Sequence, residues 1–151
     1  MIILTSGCFD PLHVGHLECL ELAKALGDKL IVIVNNDNQI KLKKGKSFMS
    51  EQDRLKILNS IKVVDEVFLS IDQDASVCKS IEAVASREKV DIFAKGGDRH
   101  EGEIPEKKIC NKLGIKIVDG LGEKIRSSSE LIESSNGEDV SWHQKNLMKQ
   151  N

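Results

Sequence analysis

The segment Gly7-Cys8-Phe9-Asp10-Pro11-Leu12-His13-Val14-Gly15-His16 follows an apolar run, Met1-Ile2-Ile3-Leu4-Thr5-Ser6, and precedes an amphipathic stretch from Leu17 to Leu26. A strand, a glycine-bearing turn and a helix start in that order make a geometry that binds phosphate groups. Backbone N–H groups of the turn and first helical turn point at the ligand, and the helix dipole favours negative charge there. Two imidazoles, His13 and His16, stand three residues apart in that anion site, so on a first helical turn they share one side. Gly15 between them keeps the backbone bare and lets a ligand approach closely. Residues of this type in this order point to chemistry at a phosphate.

Working outward, short apolar β-branched runs alternate with helical patterns, which argues for parallel strands joined by crossover helices. The strands expected are Ile2 to Thr5, Leu30 to Val34, Glu66 to Leu69, Asp91 to Ala94 and Ile115 to Val118. Their near-continuous apolar character suits a sheet covered on both faces. Helices are expected over Val14 to Leu26, Glu51 to Ile61, Ala75 to Ser86, Pro105 to Leu113 and Ser128 to Ser134. Ser50 with Asp53 reads as a capping-box variant and Ser127 with Glu130 as the standard form. Pro105 suits a first helical position and Gly114 a C-terminal stop. The expected architecture is a Rossmann-like α/β three-layer sandwich with a five-stranded parallel sheet in the order 3-2-1-4-5, one domain over residues 1–133. Its site falls at the carboxyl ends of strands 1 and 4, where the strand order reverses. Residues 134–151 read as a polar tail, interrupted by Val140, Trp142, Leu147 and Met148, that either docks as a short helix or frays.

The 151 residues are enough for one self-sufficient core, and 40% apolar with 30% charged is ordinary globular composition. A net charge of −2 gives no electrostatic footprint for nucleic acid. Four phenylalanines, one tryptophan and no tyrosine leave little to stack bases on. Cys8, Cys19, Cys78 and Cys110 form no CxxC pair and are expected as reduced thiols of a cytoplasmic protein. No signal peptide and no apolar run near 18 residues are visible, so no membrane partner is expected.

With the elements placed, Gly7 to His16 resembles the HxGH signature of the cytidylyltransferase-like nucleotidyltransferases. Lys43-Lys44-Gly45-Lys46, Ser50-Glu51-Gln52-Asp53-Arg54 and Val63-Val64-Asp65-Glu66-Val67 are similar to the middle section of the glycerol-3-phosphate cytidylyltransferases, and equally to the nucleotidyltransferase domain that makes ADP-heptose. Lys95-Gly96-Gly97-Asp98 is most similar to the KGGD segment of the latter. Arg126-Ser127-Ser128-Ser129 stands where the family has its Ser-Thr-Thr segment at a helix start. The resemblance covers residues 1–133. Cys8 stands where Thr is frequent and Ser128-Ser129 replace threonines; both changes bear on substrate detail, since backbone donors are kept.

The resemblance implies an enzyme that transfers a nucleoside monophosphate from a nucleoside triphosphate to a small phosphorylated acceptor, releasing pyrophosphate. Attack is direct and in line, so positioning and charge neutralisation carry the rate. The KGGD segment favours ATP and a sugar 1-phosphate; CTP with a polyol or amino-alcohol phosphate such as glycerol 3-phosphate is the alternative. A nucleotide-binding module without turnover is a second alternative. His13, His16 and Lys44 are the expected catalytic residues. Gly7, Cys8, Phe9, Asp10, Gly15, Lys95, Gly96, Gly97, Asp98, Ser127, Ser128 and Ser129 are expected at the nucleotide. Lys44, Lys46, Arg54 and Arg126 are expected at acceptor or triphosphate oxygens, with Lys43, Lys44 and Lys46 in a loop after the second strand. Mg²⁺ is expected on substrate phosphates and water rather than in a protein cage. The family also implies a homodimer. His100 and His143 read as surface residues.

Overall fold

The computed structural model describes residues 1–96 and 105–121. Gly97, Asp98, Arg126, Ser127, Ser128, Ser129, the helix expected over Ser128 to Ser134 and the tail lie outside the described residues.

Ten elements alternate along the chain: β1 (Ile2–Gly7), α1 (Val14–Ala25), β2 (Lys29–Val34), α2 (Asp37–Lys44), α3 (Glu51–Asn59), β3 (Glu66–Leu69), α4 (Cys78–Arg87), β4 (Ile92–Gly96), α5 (Lys107–Leu113) and β5 (Lys116–Leu121). The strands form one sheet in the order β3-β2-β1-β4-β5 with every pairing parallel. The expected strand order holds. β2 shows why a continuous apolar run belongs in such a sheet. Leu30, Val32 and Val34 pack with α1 and α3 side chains such as Leu20, Ala23 and Leu58 on one face. Ile31 and Ile33 face the other way, against Ile81 and Val84 of α4 and Cys110 of α5. All five are wholly buried, so neither face could be polar.

Local chemistry sets the helix limits. Ser50 caps α3 by accepting from the Asp53 N–H, and Gly114 ends α5 at φ 72°, a left-handed conformation that glycine adopts without Cβ strain. Three expectations are corrected. α4 begins at Cys78 rather than Ala75, because Asp72 accepts the N–H groups of Lys79 and Ser80 and draws the helix start there. α5 begins at Lys107, with Pro105 in the preceding turn and Glu106 at the cap position.

The largest correction concerns residues 37–44, read from sequence as loop. They are helix α2, so Lys43 and Lys44 lie on its last turn and only Lys46 lies beyond the Gly45 cap. Asn36 and Gln39 close a reciprocal capping box at its start, a signal outweighed in the sequence by the polarity of the segment. All four cysteines are free. Among the described residues, no helix is long and apolar enough to cross a membrane.

Candidate active site

β1 runs two residues further than expected, so Gly7 closes the strand and the chain turns over it at Cys8 to Leu12. Phe9 makes that turn possible. It adopts φ 54°, rare for a residue with a side chain, and its ring folds back over Gly7. A Cβ at position 7 would lie 2.9 Å from the ring Cζ, so the site needs glycine there. The ring is buried and meets His16 edge-on, 5.2 Å between centroids. The Phe9 side chain is therefore core and packs against a catalytic candidate.

The two histidines form the start of α1 themselves. His13 is the N-cap, and its Nδ1 accepts from the Gly15 N–H at 3.1 Å. The Nδ1 of His16 reaches back and accepts from the His13 N–H at 3.2 Å. This is a capping box written in imidazoles instead of Ser and Glu. Both Nδ1 atoms act as acceptors, so in each neutral ring the proton sits on Nε2. The rings lie 3.9 Å apart, centroid to centroid, tilted by 31°.

Burial drives the pKa of His16 down to about 3, and repulsion from the neighbouring His13 and Lys44 adds to it. At neutral pH His16 is an uncharged Nε2–H donor. That form suits a group that donates to phosphate oxygens as negative charge builds, because it gains no penalty from repelling Lys44.

Other parts of the chain converge on the Cys8–Asp10 turn. Asp10 is buried and its two carboxylate oxygens accept the Phe48 and Met49 N–H groups, which pins the segment after α2 onto the turn. Lys44 lays its Nζ 2.9 Å from the Asp10 carbonyl. Lys43 lies 3.4 Å from the Asn35 side-chain oxygen, and the Cys8 thiol donates to the same oxygen at 3.5 Å. Two ammonium groups thus reach the edge of the turn where His13 and His16 stand. Lys46 is exposed beyond the Gly45 cap.

Arg54 was expected at phosphate oxygens; the structure corrects this. Its side chain is fully buried and donates to the Met49, Cys8 and Asn35 carbonyls and to the Asp37 carboxylate. The planar guanidinium fork bolts the glycine turn, the end of β2, the start of α2 and the start of α3 to one another. These four acceptors all belong to the protein itself. Asp10 is likewise a structural tie through its carboxylate.

On the far side of β1, Thr5 donates to the Ala94 carbonyl at 2.8 Å, holding β4 in register. Lys95 and Gly96, expected after the fourth strand, are its last two residues. Lys95 reaches to 3.5 Å from the Ser6 hydroxyl at the carboxyl end of β1. Gly96 lies close over α1, where a Cβ would stand 3.1 Å from the Cys19 sulfur. The carboxyl ends of β1, β2 and β4 and the start of α1 therefore gather His13, His16, Lys43, Lys44 and Lys95, while Gly7 and Gly96 make room for the Phe9 ring and the Cys19 sulfur. Asn35 and Gln39, not among the residues expected from sequence, belong to this assembly. The Asn36-x-x-Gln39 spacing was the signal that could have found them.

Known proteins match this picture. The cytidylyltransferase-like family model matches residues 4–141. The Bifunctional protein HldE of Helicobacter pylori (strain HPAG1) is 45% identical over 105 residues, covering 68% of this chain and 21% of that protein. Its namesake from Coxiella burnetii (strain Dugway 5J108-111) is 35% identical over 134 residues, 87% of this chain and 27% of its own length. The chain thus spans about a quarter or less of these curated relatives. A crystal structure of the lipopolysaccharide core biosynthesis protein from Thermoplasma volcanium GSS1 superposes with a TM-score of 0.66 at 32% identity, covering 82% of this chain and 97% of the other. A strand–turn–helix site with paired imidazoles, a 3-2-1-4-5 sheet and a family match over nearly the whole chain lead to one conclusion: this chain belongs to the cytidylyltransferase-like family of nucleotidyltransferases.

Proposed function

We propose that this chain transfers AMP from ATP to the phosphate of a small acceptor, a sugar 1-phosphate, and releases pyrophosphate. The observation that carries the reading is the pair of Nε2–H imidazoles side by side at the α1 N-terminus, next to the β1–β4 switch point. An acceptor phosphate oxygen attacks the α-phosphorus in line. A new P–O bond forms, the bond to the β-phosphate oxygen breaks, and pyrophosphate leaves with the electron pair. Nε2–H donors and the helix dipole stabilise the charge that builds on the α-phosphate oxygens, the effect that dominates such chemistry. Lys44 is assigned to the acceptor phosphate. Its flexible point charge rests on the Asp10 carbonyl and is free to swing to a phosphate oxygen.

Magnesium fits the site as a companion of the nucleotide. Among the described residues no group of three His, Cys, Asp or Glu side chains could hold a metal ion, and both Asp10 carboxylate oxygens are occupied by backbone N–H groups. The ion would be held by phosphates and water, and it would neutralise phosphate charge.

ATP and a sugar 1-phosphate are favoured by the Lys95-Gly96-Gly97-Asp98 segment and by the similarity to proteins named HldE. CTP with glycerol 3-phosphate is the competing pair, favoured by the Lys43-Lys44-Gly45-Lys46 segment. A matrix of ATP and CTP against phosphorylated sugars and polyols, scored by pyrophosphate release with Mg²⁺ present, separates them. Release only with ATP and a sugar 1-phosphate supports the proposal. Release only with CTP replaces it with the alternative. Tight nucleotide binding without release for any acceptor makes the chain a binding module.

A further inference from the structure

Asn35 directly follows β2 beside the Gly7–Cys8 turn, where its N–H donates to the Gly7 carbonyl at 3.0 Å. Its side chain is almost wholly buried, at 1% exposure, and Gln39 one helical turn later is fully buried. Neither amide can turn to water, so each must satisfy its polar atoms within the protein.

That requirement gives the pair a direction. The Gln39 Nε2 has two acceptors, the Asp74 carbonyl at 2.8 Å and the Ser76 carbonyl at 2.7 Å. A flipped Gln39 would set its oxygen against both carbonyls. The Gln39 Oε1 must therefore point the other way, where it accepts from the Asn36 N–H and the Asn35 Nδ2, each at 3.1 Å. Asn35 is thereby fixed in turn: its Nδ2 faces Gln39, and its Oδ1 faces the site. There that oxygen receives the Cys8 thiol at 3.5 Å and the Lys43 ammonium at 3.4 Å.

We infer that Gln39 is a positioning residue for this enzyme, acting through Asn35 to hold the Lys43 ammonium beside the phosphate-binding turn. The Asp74 and Ser76 carbonyls set Gln39, Gln39 sets Asn35, and Asn35 presents an oxygen that only a donor can use. Lys43 is the cation this oxygen retains at the mouth of the site, ready for triphosphate oxygens. Without the relay, the Asn35 amide could turn its NH₂ outward, and the lysine would lose its seat. The inference deepens the proposed function, on which its phosphate half rests.

Two measurements on the whole chain test it, one of them independent of nucleotide. In the ligand-free protein, the Asn35 side-chain amide hydrogens should exchange slowly by NMR, on the order of tenfold or more slower than an exposed asparagine. The Lys43 side-chain resonances should shift on Asn35→Ala. Calorimetry with Mg·ATP and Mg·CTP then reads the consequence. Lys43→Met should weaken binding about tenfold, the scale of a charge-assisted hydrogen bond. Gln39→Met should weaken it several-fold in the wild-type background, yet change it less than about twofold when Lys43 is already Met. If Gln39→Met does not fold, Asn35→Ala carries the same cycle, since it removes the oxygen and leaves Gln39 its Asn36 partner.

Additive losses in the cycle would overturn the relay and leave Gln39 a purely structural residue. Fast exchange at Asn35, or Lys43 resonances indifferent to Asn35→Ala, would do the same. If neither nucleotide binds the wild-type chain, the proposed function fails and takes the phosphate half with it, while exchange and lysine shifts still decide the relay.

Discussion

His16 accepts a hydrogen bond through its Nδ1 from the backbone N–H of His13, while its ring lies 3.9 Å from the His13 ring. One nitrogen of each imidazole thus builds the helix start, and the proposed chemistry falls to the other, which in His13 is buried. The helix cap and the proposed catalytic role fall on the same two side chains, and the right substitutions separate them.

Asparagine carries an acceptor near the position of histidine Nδ1 and nothing at Nε2. His13→Asn and His16→Asn should keep the cap and lose the Nε2–H donor. Pyrophosphate release is expected to fall by roughly 10²-fold or more, the scale for removing a transition-state donor. Nucleotide affinity should change far less. The corresponding alanine variants should lose the same rate and also about 0.5–2 kcal/mol of stability from the missing cap, measured by urea unfolding. Unchanged rates in both asparagine variants would remove the assigned roles.

The lowered pKa of His16, about 3, gives stability a pH dependence of known sign. Unfolded histidine takes up a proton near pH 6.5, whereas the folded ring stays neutral down to about 3. Below pH 6.5 the unfolded state therefore binds more protons and is favoured. Stability contributed by the neutral ring is complete above pH 6.5 and is lost progressively between 6.5 and 3, at up to about 1.4 kcal/mol per pH unit. Thermal unfolding across that range should show a steeper fall for wild type than for His16→Asn. Parallel curves would mean that His16 is already charged in the folded protein.

Arg54 bridges four acceptors from a fully buried position, so lysine cannot replace it. Arg54→Lys should cost about 2–4 kcal/mol, since a single ammonium leaves buried carbonyls and part of the Asp37 pair unsatisfied. Denaturant titration measures this. A variant of normal stability with impaired phosphate binding would instead return Arg54 to the ligand.

Gly7 is required by the Phe9 ring rather than by its own backbone angles. Gly7→Ala places a methyl group 2.9 Å from the ring Cζ and should cost about 1–3 kcal/mol, because the ring is buried and abuts His16. Adding Phe9→Leu should recover part of the stability but not the rate, since the support under His16 is then thinner. Full recovery of both would show that the ring only fills space.

Much of this was legible without coordinates. Short β-branched apolar runs such as Leu30 to Val34 suit strands covered on both sides, and their alternation with helical patterns leads to a parallel sheet with a switch point. The Gly7-to-His16 spacing placed two imidazoles on one helical turn next to backbone donors. Short, polar elements were not legible. α2 has one buried apolar residue, Ile40, so its helical period is nearly silent, and its lysines read as loop. Nor did the motif spacing reveal that Arg54 points inward, because a guanidinium suits carbonyls and phosphates alike.

The amino-acid order alone determined the strand sequence, the helix start at Val14 and the presence of paired histidines, because periodicity and capping act over a few neighbouring residues. Tertiary structure alone decided which charged groups are tied into the scaffold and which are left beside the proposed site. That choice depends on contacts between residues far apart in the chain: Arg54 with Cys8, Asp10 with Met49, and Gln39 with Ser76. Burial then turned chemically equivalent side chains to different tasks, and it left His16 uncharged where an exposed imidazole would titrate near neutrality.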